Sequence, residues 1–433
     1  MIVIFVIVIL GLFVFREWLT TRISFQKTVK EVQRKVSQEI TLGNWELAAK
    51  ELKPLQKRGL GGVETALLHI QILRGNKLFK EALHFIDESL FIFQHNFSLH
   101  RERGKVLLEL GDAREALISF RLCEPILRSE EDILDLVTAL FQTGDVEVAW
   151  SYLRDLVKET RNGRLLALAG DCHFYLEEYG LALELYQRTQ DVGWSNYKVL
   201  LRMGHSLKSL GKFDKAENYF RQILQKDPSD VSSTLGLGAC LEAREKYEEA
   251  LEVYQTGKAW DVGDQNILRQ AGICAIYTQK YDFAEMYLRE SMKRGVACPQ
   301  SLAFFGYSLE KQMRWEESEK VYLRLVKEYP GHVAGYRALA WLYGVGHSKT
   351  LNAERGLAMA SKALELLPDT ASWEMLSACE ARAGNFKKAH SIQEGLSSQV
   401  KDEKTRLRRC RAMRTLRKKK PLSEHQVLRA LVA

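Results

Sequence analysis

The sequence predicts an all-α solenoid of about eleven helical hairpins. Three observations predict it. Small residues recur at a nearly fixed spacing through most of the 433 residues. Aromatic residues recur at fixed offsets from them. The seven prolines are scattered, and no Pro/Gly/Ser-rich linker or low-complexity tract interrupts the pattern.

Taken in chain order, the first segment is not part of that pattern. Residues 1–15, MIVIFVIVILGLFVF, are apolar without exception. As a helix they would be about 22 Å long, and counting through Leu19 brings the segment close to a bilayer core of roughly 30 Å. Arg16 and Glu17 would then snorkel, with Trp18 at headgroup level. No basic residue precedes the run and no small-x-small site follows it, which argues against a cleaved signal peptide. Residues 1–19 are therefore expected to be a transmembrane anchor and 20–28 a basic juxtamembrane stretch. Arg16, Arg22, Lys27 and Lys30 follow the apolar run, so the positive-inside rule puts the bulk of the chain in the cytoplasm, with a periplasmic placement as the alternative. Seven cysteines in no paired pattern suit a reducing compartment.

The repeats occupy residues 29–397. The small residue early in each second helix is Ala48, Ala82, Ala116, Ala149, Ala182, Ala216, Ala250, Ala284, Ser318, Gly356 and Ala389. The spacings are 33 or 34 residues, except for 38 before Gly356. Twelve residues upstream of six of these sites stand Gly104, Gly170, Gly204, Gly238, Gly272 and Gly306. Small residues let two helices approach closely. An aromatic often lies three residues before the aligned site, as Trp45, Tyr247 and Trp315 do, and another four after it, as Phe120, Tyr186, Phe220, Tyr254 and Tyr322 do. These rings are expected to fill the space between one hairpin and the next. Gly43, Gly111, Gly144, Gly211 and Gly384 supply the turn between helices, and Pro228, Pro330 and Pro368 end second helices.

Residues 398–433 form the last segment, expected to be a capping helix with a basic tail. The overall formal charge is +8, but residues 401–420 alone hold eleven Lys/Arg against two Asp/Glu. The body is mildly acidic, and the basicity sits at the two ends. Such a tail suits anionic lipid or nucleic acid. No aromatics interleave the charges, which favours lipid over single-stranded nucleic acid.

The 34-residue helix–turn–helix pattern resembles the tetratricopeptide repeat family. The resemblance implies a right-handed superhelix with a long concave face, no enclosed catalytic core, and protein partners held along the first helices of the hairpins. The positions that face the groove in that family correspond here to Arg164, Asp171 and Tyr175, to Lys198, His205 and Lys208, to Asn266, Arg269 and Tyr277, to Tyr307, and to Arg337 and Trp341. Arg and aromatic residues are the types enriched at binding hot spots. The Lys–Asn pair with which some members grip a C-terminal carboxylate is missing, since His205 and Ala239 hold the Asn site.

Nothing in the sequence points to catalysis, a cofactor or a metal. There is no His-Glu-x-x-His, Gly-x-Ser-x-Gly, phosphate-binding loop or Cys-x-x-Cys. Cys172, Cys240, Cys274 and Cys379 share one repeat position and are expected to be buried small residues. The expected function is a non-enzymatic, membrane-anchored scaffold or adaptor for a membrane-associated complex. Two alternatives accompany it: a periplasmic scaffold of an envelope or flagellar machine, and an RNA-binding repeat protein using the basic tail. A 34-residue rather than 35-residue period and an acidic body argue against the RNA reading.

Overall fold

The computed structural model describes residues 26–58, 62–127, 129–256, 264–346, 350–397 and 402–422. The expected anchor at 1–19 lies outside the described residues. Among those described, no helix is long and apolar enough to cross a membrane.

The expected fold class is the one observed: the described residues form helices and no strand, arranged as antiparallel hairpins. They fall into two compact units, the first ending at Asn196 and the second beginning at Tyr197. The first unit holds α1 (26–41) and α2 (Trp45–Lys57), α3 (Gly62–Gly75) and α4 (Phe79–Ile92), α5 (Phe97–Leu110) and α6 (Ala113–Cys123), α7 (Glu130–Thr143) and α8 (Val146–Leu153), and α9 (Gly163–Tyr175) and α10 (Tyr179–Asp191). The second holds α11 (Tyr197–Ser209) and α12 (Phe213–Lys226), α13 (Val231–Ala243) and α14 (Tyr247–Thr256), α15 (Gln265–Tyr277) and α16 (Tyr281–Arg294), α17 (Pro299–Lys311) and α18 (Trp315–Glu328), α19 (Val333–Gly344) and α20 (Ala353–Leu366), and α21 (Thr370–Arg382) and α22 (Phe386–Ser397). The last helix, α23 (Glu403–Arg417), packs on α22.

Local chemistry fixes the ends. First helices open on side-chain caps. Asn96, Ser129, Asn162, Asp230, Asp264 and Asp369 each accept from a backbone N–H two or three residues on. Pro228, Pro330 and Pro368 each follow the end of their helix by two residues. The five expected turn glycines are left-handed, with φ from +71° to +89°. In five other hairpins the same conformation falls on Lys77, Glu177, Glu245, Gln279 and Met313, at φ near +60°. An L side chain there costs roughly 1 kcal/mol. Met313→Gly is therefore expected to raise stability by about 0.5–1 kcal/mol in urea denaturation, since that side chain is 76% exposed and gives up little packing.

The small first-helix residues meet the aromatics sixteen positions later, within their own hairpin. A Cβ on Gly170 would lie 2.5 Å from Tyr186, on Gly204 2.8 Å from Phe220, and on Gly306 2.3 Å from Tyr322. This corrects the expectation that these rings mainly fill the space between hairpins. Phe220 does both, because it also presses on Gly236 of the next first helix. The bridging role belongs more to the aromatics that open second helices: Trp45 lies against Gly75, and Tyr247 stacks on Tyr277 with centroids 4.3 Å apart. At the irregular ninth hairpin, Ser318 replaces alanine and donates its hydroxyl to the Gly306 carbonyl at 2.8 Å, so its polarity is satisfied in the core.

Candidate binding groove

First helices of successive hairpins pack side by side within each unit. Their remaining face is where the candidate residues were expected.

In the first unit, Arg164 is exposed near the start of α9. Asp171 is half-buried and accepts the Tyr186 hydroxyl at 2.6 Å, so its carboxylate is turned toward its own hairpin. Tyr175 is 53% exposed and lies beside Phe141 and Phe174, with centroids 5.8 Å away in each case. Upstream, a charge network that the sequence did not suggest ties α3, α5 and α7. Arg74 pairs with Glu102 at 2.8 Å and Glu109 at 2.9 Å. The Lys105 ammonium sits 3.7–3.9 Å from Glu102, Asp132 and Asp135. Glu102 and Asp132 are buried, and burial holds the Asp135 carboxyl above its ordinary range.

In the second unit, α11 presents Lys198, His205 and Lys208. Lys198 is exposed, while His205 and Lys208 are half-buried. The His205 ring rests on Phe220 at 5.2 Å. Its pKa is pushed down to about 4, by burial first and then by the neighbouring charges of Lys208 and Arg202. The imidazole is therefore neutral at pH 7. Lys208 also acts on the thiol of Cys240 in the next first helix, partly offsetting the burial that raises it to about 11.

The carboxylates of these helices are turned away from that surface. Glu242 accepts the Tyr254 hydroxyl at 2.6 Å and the Cys274 thiol at 3.5 Å. Glu310 is buried and accepts the Tyr322 hydroxyl at 3.3 Å. On α15, Arg269 donates to Asn266 at 2.9 Å and lies 3.8 Å from the Cys298 sulfur. Its buried Nε has no hydrogen-bond partner, and no carboxylate pairs with it among the described residues. Tyr277 is 53% exposed on its stack with Tyr247, and Tyr307 carries the Lys311 ammonium 5.3 Å from its ring centroid.

Two candidates are not surface groups at all. Arg337 is 3% exposed and Trp341 is 2% exposed. Arg337 pairs with Asp369 at 2.5 Å and donates to Ser372 at 3.1 Å, which fastens α19 to the capped start of α21. Trp341 lies in the core with Met375 and Ala378. The next first helix covers both residues, and the single-hairpin pattern does not register that. Conversely, Arg202 was not among the expected residues. Its position three residues before His205 on α11 was the available signal.

Cys172, Cys240, Cys274 and Cys379 are buried, as expected of that repeat position, and burial raises all four thiols. Cys298 differs. Burial raises it, but hydrogen bonds from Ser301 and the Arg269 guanidinium outweigh this and leave its thiol below the ordinary value. Among the described residues no group of three or more His, Cys, Asp or Glu side chains is placed to hold a metal ion.

Residues 201–261 match the tetratricopeptide repeat family model. A tetratricopeptide repeat-containing protein of Methanocaldococcus jannaschii, MJ1428, is 24% identical over 192 residues, or 41% of this chain and 33% of that protein. The trd-1 protein of Caenorhabditis elegans is 25% identical over 42% of this chain and 22% of its own length. The chain thus spans about a third or less of these two relatives. The Low calcium response locus protein H of Yersinia pestis is 26% identical over 25% of this chain and 68% of its own. Among solved structures, yeast Tom70 aligns over 90% of this chain and 96% of its own at 12% identity and a TM-score of 0.40. YrrB, described as a tetratricopeptide repeat protein with an unusual peptide-binding site, aligns over 43% of this chain and 92% of its own at 19% identity and a TM-score of 0.36.

Proposed function

We propose that this array of tetratricopeptide-type hairpins is a scaffold that holds a protein partner along the first helices of its second unit, and that the partner segment is acidic. The observation that carries this reading is the imbalance of charge there. Lys198, Lys208 and Arg269 stand exposed or half-exposed, while Glu242 and Glu310 are bonded inward to tyrosine hydroxyls. Ala239, half-buried on the intervening helix α13, adds no charge and little bulk between the two cationic helices. Arginine and tyrosine that are already held in place lose little entropy on binding, and they dominate hot spots. Placement at a membrane through residues 1–19, with the body in the cytoplasm, belongs to the same proposal and rests on the apolar sequence.

Full-length protein in detergent is expected to bind fluorescein-labelled Asp/Glu-rich peptides more tightly than Lys-rich ones in anisotropy titrations. The paired change Lys208→Glu and Arg269→Glu should weaken the acidic peptides at least about tenfold. Equal binding of both peptide classes, or no loss in the variant, removes the groove assignment. An alkaline phosphatase fusion after residue 433 is expected to be inactive, and high activity would move the body to the periplasmic side.

A further inference from the structure

The last helix divides its cations between two faces. One face of α23 is committed to the fold. Arg409, Ala412 and Leu416 are buried, and Arg408 and Arg409 both reach Glu374 of α21. The opposite face carries Arg406, Arg411, Arg414, Arg417 and Lys418, all exposed, and Lys419 and Lys420 continue the run. At 3.6 residues per turn, residues 406, 407, 410, 411, 414, 417 and 418 share one side of a helix. Leu407 lies in the middle of this arc and is 50% exposed. After Glu403 the arc contains no carboxylate. Arg417 also donates to His390 at 3.1 Å.

We propose that this face is a docking surface for the anionic headgroups of a membrane, with Leu407 entering the interface between the arginines. Charge complementarity selects an anionic partner. A straight one-sided row on a helix anchored by its other face fits a plane better than a groove. No aromatic lies on the arc to stack on bases, so a single-stranded nucleic acid is the poorer fit. The choice of lipid over an acidic protein rests on the membrane reading of residues 1–19. The contact itself uses neither those residues nor the peptide groove.

The test places an environment-sensitive fluorophore on Leu407→Cys in the full chain, with Cys298→Ser and Cys410→Ser removing the two half-exposed thiols. Emission should shift to the blue on vesicles of phosphatidylcholine with roughly one-third phosphatidylserine, and not on phosphatidylcholine alone. About 0.5 M NaCl should reverse the shift. The triple change Arg406→Gln, Arg414→Gln and Lys418→Gln should move the lipid titration midpoint about 100-fold with unchanged circular dichroism. An equal shift on uncharged vesicles overturns the proposal. So does an unshifted probe on protein that floats with anionic vesicles, or tighter binding of an oligoribonucleotide than of lipid. Flotation with uncharged vesicles reports separately on the apolar segment, so failure of the anchor is distinguishable from failure of this face.

Discussion

Glu374→Ala is expected to cost about 3–5 kcal/mol in the stability of the C-terminal hairpin. Glu374 is fully buried, and its Oε1 accepts from Arg408 at 2.9 Å and from Arg409 at 3.1 Å and 3.0 Å. Arg409 is itself 2% exposed and gives another hydrogen bond to the Leu396 carbonyl. Removing the carboxylate leaves a guanidinium in the core with no opposite charge, and that desolvation dominates the loss. A second change, Arg409→Leu, should recover part of it, because a missing buried pair costs less than half of one. In a repeat array each hairpin leans mainly on its neighbours, so the damage should be local. Trypsin should cut within 403–420 far sooner than in the wild type, while the first unit stays protected. An unchanged cleavage pattern would show that the Glu374 pair does not hold α23.

Gly238→Ala is expected to destabilise by about 1–3 kcal/mol, against the usual sign for a helix interior. Alanine normally gains about 0.5–1 kcal/mol over glycine within a helix. Here the added Cβ would lie 2.2 Å from both Cζ and Oη of Tyr254. That ring is 1% exposed and is tethered by its 2.6 Å hydrogen bond to Glu242, so it cannot yield without leaving a buried polar group unpaired. Gly180 on α10 provides the control, since nothing lies within 4 Å of its added Cβ. Gly180→Ala should stabilise by about 0.5–1 kcal/mol in the same urea titration. If the two changes shift the midpoint in the same direction, packing of the tyrosine against the glycine is not what selects glycine at 238.

The recurrence of Gly238 and Tyr254 at a fixed spacing was legible in the sequence, but that the ring packs on the glycine of its own hairpin was not. The turn at Gly211 was also legible, whereas Met313 hid the same turn behind a side chain that favours it less. The groove was legible only in part. Lys198 and Tyr277 are exposed at their candidate positions, but Arg337 and Trp341, which share the repeat positions of the half-buried Arg269 and His205, are buried.

By itself, then, the amino-acid order determined the helices, their turns, the hairpin period and the fixed spacing of small and aromatic residues. Those depend on residues within about one repeat of one another, and their spacing is written in the chain. The tertiary structure alone decided which charges are spent on holding hairpins together and which remain for a partner. Arg74 meets Glu102, Arg337 meets Asp369 and Arg409 meets Glu374 across neighbouring hairpins, 28 to 35 residues apart. No local periodicity encodes those pairings, because each requires the next hairpin to be in place before its charge is satisfied.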